Sequence, residues 1–600
     1  MDPWNPTPEY WEANESECRS RLKDAWDEIP VVNYMPDNLL VNKKLVRFRG
    51  MIQDMFSPVY YMQQYEVVNV NSSESSVRSG KFQDSLLCTD DEEVVFDSVK
   101  RVNGERRPMY CVSIPCLNSW ADEECKKIFS RLNKSNDKVE NSTSGKRSAE
   151  DVEMDVDSSG PNDLNSTSET KRHCVGTSGT APAPKSGESS TTTKLETDLN
   201  FPVSNPKGKA CILNFYDSMD EDVKLNSIVE VVGFLANDPF QAPVEDGGDF
   251  EMDDGVSKLP PSLVPRIHVV GVKHLDGSYI VPAIPAKCEY LKNLKYLVAD
   301  KTAADIKRLR NELKFVLTQL MLGDSLAAEY LIFSIISKVF LRQDLTVLGD
   351  FSLNITNLPL QSCPSYPNLV YEVLALLLLQ SHYFQMSISS MNNTKMIPKK
   401  DYQTNRLVSG MLQLPAGTHL VLDETKFEAG MLRDQGVHNA KALSTIIKNQ
   451  KMDYNFQYYN LGIDTDVPVI IFSEAKSMLT CKYQVKLEPD PSSVAVVEEM
   501  MLSLKNYLKQ HINELRAFIL SIKSKEYQLS AEMSKTIESD FVQMRQRPGA
   551  KVSPDDLHSL LVVGRLYAIS HGLDSLDPQS WSEVLQLEEQ RKARLNSSAR

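Results

Sequence analysis

The chain has few cysteines and lacks the long apolar runs that membrane proteins carry. No stretch reaches the roughly 18–20 consecutive apolar residues of a membrane span, and Met1-Asp2-Pro3-Trp4 has neither the basic nor the apolar part of a secretory signal. Its ten cysteines include no Cys-x-x-Cys pair, so neither a redox motif nor a paired zinc site is indicated. We therefore expect an intracellular protein with reduced thiols, no metal and no cofactor.

Basic residues are outnumbered by acidic ones. The 600 residues include 66 Lys and Arg against 81 Asp and Glu, which gives a net charge of −15. Because affinity for nucleic-acid phosphates comes largely from clustered Lys and Arg, this balance disfavours a nucleic-acid-binding protein and favours protein partners. The hydrophobic share of 41% is ordinary for a globular chain, and the length indicates several domains.

The first 130 residues combine a tryptophan-rich helical pattern with strand-like segments. The pattern from Glu12 to Trp26 predicts a helix that either docks on the next domain or serves as a short binding motif, and we favour docking. Alternating apolar residues then predict strands within Val41–Tyr65 and within Met109–Ile114. Residues 1–130 are therefore interpreted as an N-terminal helix followed by a β-rich domain.

Composition changes abruptly from Asn133 to Thr197. Ser, Thr, Asn, Gly, Asp and Glu dominate this segment, which holds too few apolar residues to form a core. We predict a disordered linker over 131–198. The basic groups Lys146-Arg147 and Lys171-Arg172-His173 are either weak nuclear-import signals or solvated linker charges.

A second β-rich region is predicted over 199–290. Strand patterns cover Ala210–Tyr216 and Leu263–Val270, and a long strand between them contains Gly233, where a kink or bulge is expected. This order of strands is typical of an OB-fold barrel. No basic groove with interleaved aromatic residues accompanies it, so protein contact is the favoured role.

Alternating strands and helices begin near residue 300. The pattern predicts a largely parallel sheet with helices on its faces over 300–490 and a helical region over 495–600. The predicted helices are Ala303–Leu322, Ser325–Phe340, Tyr366–Leu379, Met500–Tyr527, Met533–Met544 and Asp555–His571. The predicted strands include Phe351–Ile355, Phe384–Ile388 and Val467–Phe472.

The stretch from Gly323-Asp324 to Tyr330 has the spacing of a phosphate-binding loop. In such a loop glycines let backbone N–H groups surround the phosphates, a Lys reaches the β- and γ-phosphates, and a Ser or Thr holds Mg²⁺. Here Glu329 stands in the Lys position and Tyr330 in the hydroxyl position, so the site would be degenerate. The alternative is an ordinary helix–turn–helix, because apolar residues before Gly323 recur at helical spacing.

A second match lies downstream, where an apolar strand ends in Asp423-Glu424. An acidic pair at the end of a buried strand is suited to hold Mg²⁺ and to polarise a water. The stretch Leu407–Glu424 resembles the segment of minichromosome-maintenance (MCM) helicases that contains this pair, and Gly323-Asp324 stands in place of their Gly-Asp-Pro loop. We interpret both stretches together as one degenerate nucleotide site.

The whole chain resembles the family of MCM complex-binding proteins. The stretches that carry the resemblance are Met51–Phe56, Ser262–Val269, Leu322–Leu331, Asp401–Tyr402, Asn405–Gly410, Gly436–Asn439 and Asp555–His558. The resemblance implies an α/β multidomain protein. Small OB-like β regions, split by the linker, would precede a degenerate AAA+-like α/β domain with a C-terminal helical lid.

Departures from the active helicases all indicate an inactive relative. Besides Glu329 and Tyr330, Ser473-Glu474 follows the strand where an ATPase would present a sensor Asn. Arg565 lies near the place of a lid arginine that would face ATP. Without a phosphate-binding Lys to accompany it, Arg565 is interpreted as a structural or interface residue.

The resemblance implies a non-enzymatic binding and assembly factor of the nucleus. Its implied partners are MCM helicase subunits, with which it would form an alternative complex, handle unassembled or nascent subunits and promote removal of the ring from chromatin in late S phase. DNA replication and sister-chromatid cohesion are the implied processes, without a membrane or direct sequence-specific nucleic-acid binding. Two rival hypotheses are a divergent AAA+ ATPase that remodels the ring and a replication factor that binds DNA directly, for which steep salt dependence would be expected.

Overall fold

The computed structural model describes residues 4–89, 91–140, 199–205, 207–237, 263–275, 303–343, 346–546 and 553–597. Most of the predicted linker, including both basic groups, lies outside these residues. Helix α3 (Ser119–Glu140) continues past Asn133. Residues 133–140, which the composition assigned to the linker, are therefore helical.

A closed barrel is built around one strand that pairs on both sides. Strand β1 (Leu45–Met55) pairs antiparallel with both β5 (Val102–Val112) and β7 (Ile228–Ala236). Strands β6 (Ala210–Tyr216) and β8 (Arg266–His274) complete the ring in the order β1-β5-β6-β8-β7, with β6 and β8 parallel. The strands that extend the sheet outward from β5 are β2 (Val59–Asn69), β3 (Ser75–Ser79) and β4 (Glu92–Val95).

The two predicted β regions, 1–130 and 199–290, form this one barrel rather than two domains. Strands β1 and β7 pair from Leu45 with Phe234 to Met51 with Ile228. Alternation predicts which residues form strands but not which strands pair, and here the partners lie on opposite sides of the linker. The irregularity expected at Gly233 is confirmed, because the register between β7 and β8 shifts there.

Two short helices at the N-terminus pack on the barrel. They are α1 (Pro8–Ala13) and α2 (Glu15–Ala25). Trp11 is fully buried, and its ring centre lies 5.9 Å from that of Phe234 on β7. The prediction that the tryptophan-rich segment docks on the next domain is confirmed.

A five-stranded parallel sheet organises the region after residue 300. Its strands are β11 (Ser352–Thr356), β12 (Ser381–Gln385), β15 (His419–Asp423), β18 (Val469–Phe472) and β19 (Tyr483–Lys486). They lie in the order β12-β15-β18-β11-β19, and every neighbouring pair is parallel. The predicted parallel sheet is confirmed.

Five helices accompany this sheet in the described residues; the first three were predicted from the sequence and the last two were not. They are α4 (Ala303–Leu320), α5 (Ser325–Ile336), α6 (Tyr366–Leu377), α7 (Ile388–Asn393) and α8 (Asp434–Asn449). Several predicted boundaries are wrong. Helix α5 ends at Ile336 rather than at Phe340, and α7 begins at Ile388, where a strand was expected to continue.

Two small sheets project from this region. The first is a hairpin of β9 (Leu341–Gln343) and β10 (Thr346–Leu348). The second has four strands in the order β14-β13-β16-β17. Its strands are β13 (Lys399–Asp401), β14 (Arg406–Val408), β16 (Lys451–Asn455) and β17 (Asn460–Asp464).

The C-terminal helices share one hydrophobic core with the sheet. They are α9 (Pro491–Ala495), α10 (Val497–Lys523), α11 (Ala531–Gln546), α12 (Pro554–Ser570) and α13 (Pro578–Ser597). Leu353 of β11, Leu508 of α10 and Val584 of α13 belong to the same buried cluster. The regions predicted as 300–490 and 495–600 are therefore continuous, and α13 was not predicted. Among the described residues no single helix is long and apolar enough to cross a membrane.

Candidate functional site

The acidic pair Asp423-Glu424 lies at the carboxyl end of β15, an inner strand of the parallel sheet. Carboxyl ends of parallel strands meet at one edge, which is where open α/β sheets bind ligands. Asp423 is buried. Its Oδ2 accepts a 2.5 Å hydrogen bond from the Tyr383 hydroxyl of β12, and its Oδ1 accepts bonds from the Thr425 amide at 2.9 Å and hydroxyl at 2.6 Å. Both carboxylate oxygens are thus occupied by donors of the chain itself.

Glu424 is held in the same way by the segment that follows β18. Its two oxygens accept hydrogen bonds from the Ser477 hydroxyl at 2.7 Å and from the Met478 amide at 3.3 Å. Burial raises the pKa of Glu424, although these bonds partly oppose the rise. The pair therefore ties β15 to β12 and to the segment after β18, and each of its four carboxylate oxygens already accepts at least one hydrogen bond from the chain.

The loop 357–365 lies at this same edge, between β11 and α6. A strand, a loop and a helix in this order are what a phosphate-binding loop requires. The loop reads Asn-Leu-Pro-Leu-Gln-Ser-Cys-Pro-Ser and contains neither glycine nor lysine. Its prolines at 359 and 364 have no N–H to offer to a phosphate. This strand–loop–helix element therefore lacks the glycine and lysine that bind phosphate in a nucleotide-binding loop.

Neighbouring strands fix the start of that loop. The Asn357 amide donates to the Glu474 carbonyl at 3.3 Å, and its side-chain nitrogen donates to the Leu487 carbonyl at 2.8 Å. Beside it, the Ser473 hydroxyl donates to Asn354 Oδ1 at 2.9 Å. Sequence patterns had placed Phe351–Ile355 in a strand and Tyr366–Leu379 in a helix, and this order was the signal that could have located the loop.

Gly323 and Asp324 lie in a helix–turn–helix, not after a strand. Helix α4 precedes the turn, Gly323 has a φ of +89°, and the Asp324 side chain caps α5 by accepting from the Leu326 and Ala327 amides at 3.0 and 3.1 Å. A left-handed φ favours glycine, and an aspartate is a preferred N-cap. The interpretation of this stretch as a phosphate-binding loop is therefore wrong, and the alternative stated with it is correct.

Glu329 and Tyr330 are buried on α5 and contact other helices. Glu329 forms ion pairs with Arg310 and, at 3.2 Å, with Lys314, both on α4. The Tyr330 hydroxyl donates to Glu588 of α13. Burial raises the pKa of Tyr330, so it remains a donor. Glu329 and Tyr330 were predicted to form one site with Asp423 and Glu424. In the structure the two pairs have different hydrogen-bond and ion-pair partners, and Glu329 and Tyr330 connect helices.

One further residue singled out in the sequence, Arg565, has a packing role. The Arg565 guanidinium lies over the Phe340 ring at 4.3 Å and over the Tyr527 ring at 5.9 Å. Such contacts favour a cation on an aromatic face. Within the described residues no group of three or more His, Cys, Asp or Glu side chains is arranged to hold a metal ion.

A polar network that the sequence did not predict joins the barrel to the α/β region. The Leu407 amide donates to Asp54 Oδ2 at 2.8 Å, and the Asn200 side chain donates to the Leu407 carbonyl at 2.8 Å. The Gln413 side chain donates to the Gln53 carbonyl at 2.8 Å, and the Gln53 side chain donates to the Asn200 carbonyl at 2.7 Å. We call these five residues the junction network. Each of its bonds connects residues far apart in the sequence, so local patterns carry no signal for it.

Comparison with known proteins places the chain in a family. The family described as "Mini-chromosome maintenance replisome factor" matches residues 18–595. The chain belongs to this family. The family resemblance inferred from the sequence is therefore confirmed.

Relatives extend this similarity over nearly the whole chain. Proteins named mini-chromosome maintenance complex-binding protein are 34% identical in Drosophila melanogaster, 35% in Gallus gallus and 36% in Homo sapiens. The alignments cover 98%, 96% and 94% of this chain and 96%, 93% and 91% of the relatives. Of the stretches that resemble this replisome-factor family, Met51–Phe56 and Asn405–Gly410 meet in the junction network.

Proposed function

We propose that this chain is a non-catalytic binding and assembly factor of the MCM helicase. The observation that carries the proposal is the similarity, at 34–36% identity over nearly the full length, to proteins named for binding the mini-chromosome maintenance complex. The partners are MCM subunits. No metal, nucleotide or other cofactor is required for this function.

The more specific role is inferred from the proposal that this chain is a non-catalytic relative of AAA+ proteins. A five-stranded parallel sheet, a strand–loop–helix element and an Asp-Glu pair at the sheet's carboxyl edge support an AAA+-like ancestry. The absence of glycine and lysine from loop 357–365 and the occupied carboxylates of Asp423 and Glu424 support loss of hydrolysis. A carboxylate-rich edge without a phosphate-binding lysine also repels a polyphosphate.

Such a relative keeps the shape of a ring subunit without the reaction that drives the ring. In this proposal it stands in for a ring member in an alternative MCM complex, handles unassembled or nascent subunits and promotes removal of the ring from chromatin in late S phase. It acts in the nucleus and supports DNA replication and sister-chromatid cohesion. Contact with chromatin passes through the MCM subunits.

The barrel contributes a protein-contact module in this proposal. Five strands in the closed order β1-β5-β6-β8-β7 support an OB-like barrel assembled from both sides of the linker. Single-stranded nucleic acid is the other usual ligand of such barrels. The net charge of −15 favours protein contact over that alternative.

Reconstitution with purified components tests the proposal. The full chain is mixed with each purified MCM subunit at moderate salt, and size-exclusion chromatography is expected to show stoichiometric co-elution with at least one of them. Co-elution with none would contradict the proposal. Binding that appears only with DNA present, and that falls steeply with salt, would support the DNA-binding rival instead.

A nucleotide test separates the scaffold from the ATPase rival. Since we expect no nucleotide to bind, thermal melting of the full chain should be the same with and without Mg-ATP. Binding would be detectable, because a ligand at about 100 times its Kd would stabilise the fold by about 2.7 kcal/mol. A saturable shift would show nucleotide binding, and turnover of ATP above that of an unrelated protein purified in parallel would establish the ATPase instead.

A further inference from the structure

Strand β17 forms an open edge of the four-stranded sheet. In the part of the chain that the structure describes, β17 pairs with β16 alone and ends the order β14-β13-β16-β17. Four of its five residues are exposed, and Ile463 is half-buried. An edge of this kind offers a row of backbone N–H and C=O groups to another strand.

Flanking hydrogen bonds fix which groups face outward. The Phe456 amide donates to the Tyr459 carbonyl at 3.0 Å, and the Thr465 amide donates to the Gln450 carbonyl at 2.9 Å. Bonded and non-bonded pairs alternate along an antiparallel ladder. The backbone groups of Leu461 and Ile463 therefore face β16. Those of the three alternate residues face away from it; these are Asn460, Gly462 and Asp464.

An apolar ridge runs along one face of this edge. Tyr459, Leu461 and Ile463 are two residues apart and share that face. Tyr459 is 59% exposed and stacks on Phe456 at 5.1 Å, and Leu461 is 48% exposed. Ile463 packs against the core beneath. At the tip, Tyr458 is 87% exposed, so apolar surface continues past the end of the strand.

Strand β17 lacks the features that usually prevent an edge strand from pairing with another chain. Natural edges are blunted by lysine, proline or a bulge. Strand β17 reads Asn-Leu-Gly-Ile-Asp, and its register with β16 is regular throughout. Its one charge, Asp464, lies at the end and is 3.4 Å from Arg342. An unguarded edge beside exposed tyrosine and leucine is suited to a partner strand, since tyrosine is enriched among the residues that dominate binding energy.

We propose that β17 receives an extended segment of a partner protein as a fifth strand of this sheet. The segment pairs with the outward groups of Asn460, Gly462 and Asp464, and its apolar side chains on one face cover Tyr459 and Leu461. Main-chain bonds supply affinity and the alternate side chains supply selectivity in this mode. The inference rests on the proposed function, in which the partner is an MCM subunit.

Hydrogen exchange of the full chain tests the pairing directly. With the purified MCM subunit that co-elutes, the amides of Asn460, Gly462 and Asp464 are expected to gain protection. The amides of Leu461 and Ile463, already bonded to β16, are expected to change little. Protection gained at neither set, or equally at both, would overturn the inference. Protection that rises with the concentration of the chain alone would show a second copy on the edge and would also overturn it.

Substitution at Gly462 gives a matched pair of variants. Gly462→Pro removes one outward N–H and places a ring on the open edge, and proline is tolerated where a strand's N–H faces solvent. Gly462→Ala keeps the N–H, and its Cβ would lie 3.5 Å from Asp453 Oδ1 and 3.9 Å from Lys451 Cδ, which are ordinary contacts. Affinity for the MCM subunit is expected to fall about tenfold or more for the proline variant and to stay unchanged for the alanine variant.

The outcomes separate this inference from the proposed function. If the unaltered chain binds and the proline variant binds equally well, the inference falls and the function stands. If the unaltered chain binds no MCM subunit, both fall. Should Gly462→Pro lose its native circular dichroism, Leu461→Lys replaces it, because Leu461 is already half exposed and a lysine there guards the edge. Unchanged affinity of that variant would overturn the inference.

Discussion

The amide of Leu407 donates a 2.8 Å hydrogen bond to the carboxylate of Asp54, which precedes it by 353 positions in the chain. This bond crosses the junction between the barrel and the α/β region. Asp54 is buried, and its other oxygen accepts from the Met55 amide at 2.9 Å. Burial raises the pKa of Asp54, and the two amide bonds counter that rise. The two backbone amides thus offset part of the free-energy cost of burying the Asp54 carboxylate at the junction.

Removing that acceptor should weaken the whole fold. Asp54→Ala leaves the Leu407 amide buried without its partner, and we expect the free energy of unfolding to fall by about 1–3 kcal/mol. Urea denaturation of the full chain measures the loss. Asp97→Ala, at an exposed position of the barrel region, is the control and should change stability by less than about 0.5 kcal/mol. Equal effects of the two variants would show that the junction network contributes nothing.

Sequence patterns predicted elements better than they predicted partners. The alternation in Ala210–Tyr216 gave the bounds of β6, yet β6 pairs with β5 from before the linker and with β8 from after it. Strand periodicity indicates which face of a strand is apolar. It does not indicate which distant strand of the chain pairs with it. The patterns of the two segments, each considered alone, therefore predicted two domains where the structure has one barrel.

The candidate site shows the same limit. Asp423-Glu424 was correctly placed at the end of a buried strand, because a continuous apolar run followed by two carboxylates is a local pattern. Thr425, which follows the pair, is one donor to it, but Tyr383 and Ser477 come from another strand and another loop. Gly323 was misread because its spacing matched a motif, while the apolar period before it belonged to helix α4.

The acidic pair should be dispensable for binding a partner. Asp423→Asn with Glu424→Gln removes both carboxylates that hydrolysis would need, while the amides can still exchange hydrogen bonds with Tyr383 and Ser477. We expect co-elution with MCM subunits to remain unchanged, with at most a modest fall in the melting temperature. If the variant no longer co-elutes with MCM subunits while its circular dichroism stays native, the pair lies in the interface with the partner.

Charge reversal at Glu329 should destabilise the protein rather than restore nucleotide binding. A lysine there would be buried against Arg310 and Lys314, which Glu329 now neutralises. We expect Glu329→Lys to lower the free energy of unfolding by about 3–5 kcal/mol, because it leaves like charges buried together. Glu428→Lys, at an exposed position, is the control for charge reversal and should have little effect. Equal melting temperatures for the two variants would contradict the buried ion-pair assignment.

His268 should make the barrel sensitive to acid. Its ring is fully buried, with Nδ1 2.6 Å from the Tyr216 hydroxyl and Nε2 3.6 Å from Asp84 Oδ1. Burial lowers the pKa of His268 from 6.5 to about 4, an effect that nearby Arg106 and Arg266 reinforce and Asp84 opposes. The unfolded chain therefore takes up a proton as the pH falls through 6.5, whereas the folded chain does so only near 4.

Stability from this group is accordingly complete above pH 6.5 and is lost progressively toward pH 4, with a total of at most about 3 kcal/mol. Denaturation of the unaltered chain at pH 7 and at pH 4.5 measures that loss. His268→Gln cannot be protonated in this range, so its stability should fall less between the two pH values, whatever its stability at pH 7. His438→Gln, at an exposed histidine, should keep the pH dependence of the unaltered chain. An identical pH dependence in His268→Gln would mean that other groups govern the acid sensitivity, such as the buried His419, whose pKa is also lowered by burial.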